Sequence, residues 1–158
     1  MNIDQLRKEL ERDEGVRYEV YLDHLGYPTF GIGHRIIKYD PERGVSVGRE
    51  ISNERVQATF QNDIDIVLAD CKKLYIEFEY LPEEVQLIIA NMMFNMGYTR
   101  LRKFKNMKRR VDERDWNAAA DEMVDSKWYK QVTNRADRLV KRMRNVTPVW
   151  GSTTINME

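Results

Sequence analysis

The apolar positions of this 158-residue chain fall into distinct periods. In "NIDQLRKELERDEG", Ile3, Leu6 and Leu10 recur at i, i+3 and i+7, the spacing of one helix face, and Gly15 is a ready C-terminal stop. From Tyr18 the period falls to two. Tyr18, Val20 and Leu22 alternate with Glu19, Tyr21 and Asp23, as in a strand. "DHLGYP" supplies a turn, and "TFGIGH" alternates again, with Phe30 and Ile32 on one face, predicting a second strand. Residues 38–50 are turn-rich, with a short third strand predicted around "GVSVG". Helical spacing returns after Ser52, an N-cap with Glu54 in the first turn, where the helix dipole favours an acid. Val56, Phe60, Ile64, Val67, Cys71 and Leu74 then predict one helix of about 20 residues, roughly 30 Å long. Pro82 opens the next helix and Gly97 ends it. Its wide apolar face (Val85, Ile88, Ile89, Met92, Met93, Met96) predicts a central, largely buried element. Further helices are predicted around 102–110, 113–124 and 134–144, before a tail without periodicity. The elements predict an α+β fold in which the first helix leads into a small sheet.

Composition narrows the classes. The length suits one compact domain or two small lobes sharing a core, and a single Cys71 makes no internal disulfide. No apolar run approaches the roughly 18 residues that span a bilayer, and no signal peptide is visible. Net charge is zero but unevenly spread. Residues 1–66 carry 9 basic and 13 acidic side chains, the remainder 17 and 13, and residues 100–144 carry 15 and 7. A solvated helical surface accounts for that basic stretch; a lobe that attracts a polyanion is the sharper reading.

Candidate chemistry is sparse. His24, His34 and Cys71 form no metal-ligand spacing, no nucleophile elbow exists, and "GIGH" is too short for a dinucleotide fingerprint. Two carboxyls remain. Glu14 falls at the C-terminal end of a helix, where the negative end of the dipole disfavours ionisation and suits a general acid. Asp23 falls at a strand–turn junction, in surroundings polar enough to keep it ionised. Two carboxyls in unlike environments are the pattern for splitting a glycosidic bond. Thr29 lies six residues on, with a hydroxyl able to hold a water. A surface salt bridge is the bland alternative for such acids.

"DEG" followed by "YLDHLGYPTFGIGH" resembles the active-site region of phage T4-type lysozymes, glycoside hydrolase family 24. The spacing matches at Glu14, Asp23 and Thr29. "NMMFNMG" at 91–97 resembles the family's central helix, and "WYKQVTNRADR" at 128–138 its WYxQxxNRA segment. The resemblance implies a lysozyme-like α+β fold: a small antiparallel sheet lobe (15–51), a connecting helix (52–74) and a larger helical lobe (1–14 and 75–158). It implies hydrolysis of the β-1,4 bond between N-acetylmuramic acid and N-acetylglucosamine, with inversion and the two carboxyls about 6.5–9.5 Å apart. Glu14 is then the acid, Asp23 the second carboxylate, and Thr29 the seat of the water. Arg135 is expected to reach across the cleft towards Glu14, Asn91 to border the cleft, and Asn95 to contact Trp128. His34 and Asp63 are expected to form a structural pair. No metal and no cofactor is implied. Peptidoglycan is the expected partner of a monomer made in the host cytoplasm and acting on the cell wall, delivered by a holin-type pore or a virion, without nucleic acid or membrane insertion. A non-catalytic wall-binding or tail-structural module and a lytic transglycosylase are the alternatives. Departures are Leu25 where the best-known member has an acid, Pro28 before Thr29, and a neutral net charge where the familiar enzyme is basic.

Overall fold

A computed structural model describes residues 1–147; residues 148–158, on which most of the aperiodic tail falls, lie outside the described residues. Among the described residues the chain is α+β and lysozyme-like, with eight α-helices and one three-stranded antiparallel sheet of order β1-β2-β3. Packing divides the described residues into two compact units, Ile3–Ile66 and Met1–Asn2 together with residues 67–147.

The first unit begins with α1, Ile3–Glu14, whose Leu6 and Leu10 are fully buried, as the helical spacing requires. Arg7 on its flank reaches α2 (Asn53–Leu74), donating to Gln61 and Gln57 and lying over the Phe60 ring. The Gly15 N–H bonds the Glu11 carbonyl at 2.9 Å and closes the helix one residue after Glu14. The sheet follows as β1 (Arg17–Leu22), β2 (Pro28–Gly31) and β3 (His34–Arg35).

Two strand expectations change. The "TFGIGH" run is not one strand but a hairpin, with Phe30 opposite His34 and Thr29 opposite Arg35. Alternation continues through the turn because Ile32 stays buried there, while Gly31 and Gly33 adopt φ of 65° and 62°, a left-handed conformation that folds the chain back and that glycine takes without penalty. The "GVSVG" segment is not a strand either. It bends beside β1, held by Gly48 N to Val20 O at 2.7 Å and Val20 N to Arg49 O at 2.9 Å, with a single bridge between Glu19 and Glu50. Ser52 caps α2, its hydroxyl accepting from the Arg55 N–H at 3.1 Å. That helix then runs 22 residues, about 33 Å, without a break.

The second unit is helical. α3, Glu83–Met96, follows Pro82 and is buried on nearly all sides, as its apolar width predicts. After it come α4 (Tyr98–Leu101), α5 (Lys105–Asp112), α6 (Trp116–Val124), α7 (Lys127–Gln131) and α8 (Thr133–Arg144). α6 packs on α5 and α8, and α8 on α3. Arg142 of α8 clamps Glu84 of α3 with two parallel bonds of 3.0 and 2.8 Å. α7 has no apolar period long enough to signal it; its local cue is Ser126, which caps it by accepting from the Tyr129 N–H. Among the described residues no helix is long and apolar enough to cross a membrane.

Candidate active site

Asp23 is held by its own turn. Its Oδ1 accepts the backbone N–H groups of Leu25 and Tyr27, each at 2.9 Å. The Asp23 N–H in turn donates to the Tyr27 carbonyl, and Gly26 N to the Asp23 carbonyl. Burial alone would raise its pKa, but the two N–H bonds and then the Arg35 guanidinium outweigh it and hold the carboxyl below the usual range. Asp23 is therefore ionised at neutral pH.

Thr29 is buried and tied to the same turn: its hydroxyl donates to the Tyr27 carbonyl at 2.8 Å. That bond uses its only proton, so a water would meet its oxygen as an acceptor. Tyr27 thus anchors both residues, bonding the carboxylate through its N–H and the hydroxyl through its carbonyl. A six-residue spacing becomes a fixed pair by this route.

Glu14, the last residue of α1, lies against the hairpin turn. A methyl group added to Gly33 would stand 2.6 Å from Glu14 Oε1 and 2.9 Å from its Cδ, so only a glycine lets the carboxyl rest there. Tyr21, opposite Thr29 in the sheet, connects the two acids electrostatically. Its hydroxyl pKa is raised first by burial and next by the charge of Glu14, with Arg17 opposing and Asp23 adding to the rise.

His34 bridges two acids. Nδ1 lies 2.7 Å from Asp63 of α2 and Nε2 2.7 Å from Asp40. Asp40 extends the arrangement to Arg55, which also grips Glu42 through two bonds of 2.9 Å. Both ring nitrogens face carboxylates, so the imidazolium form satisfies both contacts. Burial alone would lower the His34 pKa; Asp63 and then Asp40 outweigh it and raise it. Asp40 is shifted the other way: burial pushes it up, and the Ile37 N–H, His34 and Arg55 bring it below its ordinary value. The sign of the pH dependence follows. The histidine's contribution is full below its unfolded pKa of about 6.5 and lost as pH rises through the higher folded value. The Asp40 contribution is full above about 3.9 and lost as pH falls through the depressed one. His34→Asn is accordingly expected to lower the melting temperature most between about pH 4 and 6.5. Thermal melts at pH 5.5 and pH 9 check this; an equal loss at both would refute the charged bridge.

The remaining residues singled out from sequence lie in the helical unit. Arg135 is buried, and its Nε donates to Asn91 Oδ1 at 2.8 Å; Asn91 itself has no exposed surface. Its contact is with the arginine beneath the surface rather than with solvent. Asn95 Oδ1 accepts from Trp128 Nε1 at 2.7 Å, and Trp128 is core. No local signal in the sequence marks Arg35, Asp40, Tyr27 or Gly33 for this site. Asp40 sits in the turn-rich stretch where any acid reads as a surface residue, and Arg35 becomes visible only once strand register sets it opposite Thr29.

Residues 11–145 match the family model of phage lysozyme. The chain belongs to the phage lysozyme family and is an enzyme of the lysozyme class. Over 149 residues it is 35% identical to the pre-baseplate central spike protein Gp5 of Enterobacteria phage T4, a match covering 82% of this chain and 26% of that protein. It is 28% identical to probable T4-type lysozyme 1 of Dictyostelium discoideum, covering 87% of this chain and 92% of the relative. Peptidoglycan hydrolase gp36 of Pseudomonas phage phiKMV is 33% identical over 137 residues, 15% of its length. The chain thus spans about a quarter of the spike protein but nearly all of the Dictyostelium relative.

Proposed function

We propose that this protein is a cell-wall hydrolase that cleaves the β-1,4 bond between N-acetylmuramic acid and N-acetylglucosamine in peptidoglycan, with inversion at the anomeric carbon. The observation that carries the reading is the shared anchorage of Asp23 and Thr29 on Tyr27, on the same sheet face whose Tyr21 feels both Glu14 and Asp23. In this reading Glu14 gives its proton to the leaving sugar oxygen. A water, donating one hydrogen bond to Thr29 Oγ1 and the other to Asp23, attacks the anomeric carbon from the opposite face. Asp23 takes the water's proton, and the new hemiacetal carries inverted configuration. Arg135, oriented by Asn91, and Asn95 belong to the substrate-binding set. No step calls for a cofactor. The similarity to part of a pre-baseplate spike protein supports delivery by a virion component, and the peptidoglycan hydrolase name of the phiKMV relative supports the substrate.

Product analysis tests the reading. Fragments released from purified peptidoglycan are expected to carry the mass of one added water, and the first-formed anomer seen by proton NMR is expected to be inverted. An anhydro sugar would identify a lytic transglycosylase. Absence of any cleavage would leave a wall-binding module, and a retained anomer would overturn the role of the water.

A further inference from the structure

The carboxylate of Asp23 has two oxygens in different surroundings. Oδ1 is filled by two N–H groups of its own turn, which leaves Oδ2 as the oxygen free of backbone contacts to act on a water. Arg35 meets that second oxygen, its Nη2 standing 3.2 Å away. The guanidinium does not wander to get there. Its Cζ lies 3.9 Å from the centroid of the Tyr27 ring, the stacked geometry that planar arginine favours and lysine cannot reproduce. Its backbone is set by the pairing of Arg35 with Thr29 across β2 and β3. Tyr27 is thus common to all three groups: it bonds the Asp23 carboxylate, accepts from Thr29 and carries Arg35 on its ring.

We propose that Arg35 is a positioning residue for the second carboxylate, fixing the aim of Asp23 Oδ2 and keeping it in the anionic form that the reaction requires. The inference rests on the hydrolase reading for its consequence in catalysis, though not for the interaction itself. A half-exposed ion pair of this kind contributes little to stability, since water screens it and the long side chain loses entropy. Its effect is read most directly in the ionisation and orientation of Asp23, of which any stability change is the small counterpart. The lowered pKa of that carboxyl agrees, with the arginine contributing after the backbone bonds. The cation also makes Asp23 a weaker base, so its gain is greatest in acid, where an unpaired aspartate would begin to protonate.

The test uses the full chain and Arg35→Met, which keeps a long apolar stem in place of the charge. Carbon-detected NMR titration of the Asp23 carboxyl is expected to show its midpoint moving upward in the variant. The acid limb of kcat/KM against pH, measured on purified peptidoglycan, is expected to move in the same direction, with a several-fold larger loss at pH 4 than at pH 7. Thermal melts of the two proteins are expected to differ by no more than the small loss that the shifted Asp23 pKa itself implies above that pKa, because the pair is half-exposed. An Asp23 that titrates as in the parent, or an acid limb that stays in place, would overturn the proposal. Should the parent fail to cleave peptidoglycan, the hydrolase reading falls alone, and the NMR titration still decides whether Arg35 governs Asp23.

Discussion

Glu14→Gln is expected to lower the rate of peptidoglycan cleavage by about 10²–10⁴-fold, the usual worth of a positioned acid, while leaving the protein folded. The reason is chemical. Glutamine has nearly the size of glutamate and can occupy the place against Gly33, where any larger residue at position 33 would displace the side chain. It has no acidic proton to give to the departing sugar oxygen. Stability is expected to be unchanged or slightly higher. Glu14 closes α1 at the negative end of the helix dipole, a place where a neutral amide is tolerated. Loss of activity with a retained melting temperature therefore separates a catalytic acid from a structural one. The measurements are initial rates on purified peptidoglycan and a thermal melt of the same preparation. A variant that cleaves at the parent rate would exclude Glu14 as the donor and with it the mechanism proposed above.

Asp23→Asn is expected to fall by a similar factor, again about 10²–10⁴-fold, because it removes the base that receives the water's proton. Asparagine is chosen because its Oδ1 can still accept the N–H groups of Leu25 and Tyr27, so the turn is kept and only the charge is lost. Its amide would face Arg35 donor to donor, which loosens that side chain. Because the parent carboxyl lies below the usual range, the substitution removes a charge at every pH where the enzyme works, and the loss should not fade between pH 5 and pH 8. Thr29→Ala is expected to show a smaller fall in kcat, since Asp23 remains to take the proton. A rate for Asp23→Asn within a few-fold of the parent would place the second carboxylate elsewhere.

Much of the helical frame was legible along the chain because each signal is local. Ser52 caps the long helix, Pro82 precedes α3, and apolar positions at helical spacing identify which faces are buried. The spacing of Glu14, Asp23 and Thr29 was legible as well, because the turn at residues 23–27 brings its two ends together within a few residues. The hairpin inside "TFGIGH" was not. Alternating burial is the same for one strand and for a strand that turns through a buried Ile32, and only the left-handed backbone of two glycines distinguishes them.

What the sequence determined by itself was the class of elements and their order, and it singled out Glu14 and Asp23 as the carboxyls suited to the acid–base roles proposed here. The tertiary structure decided the partners. His34 serves two acids rather than Asp63 alone, because the loop carrying Asp40 folds back onto β3. Arg35 meets Asp23 because antiparallel register carries it opposite Thr29, twelve residues from the carboxylate it touches. Asn91 is spent on Arg135, forty-four residues away, inside the helical unit. Helix caps, turns and periodic faces are set by neighbours in the chain and can be read there. An ion pair or a hydrogen bond between distant residues depends on where packing and strand register deliver each side chain, and that is a property of the folded chain.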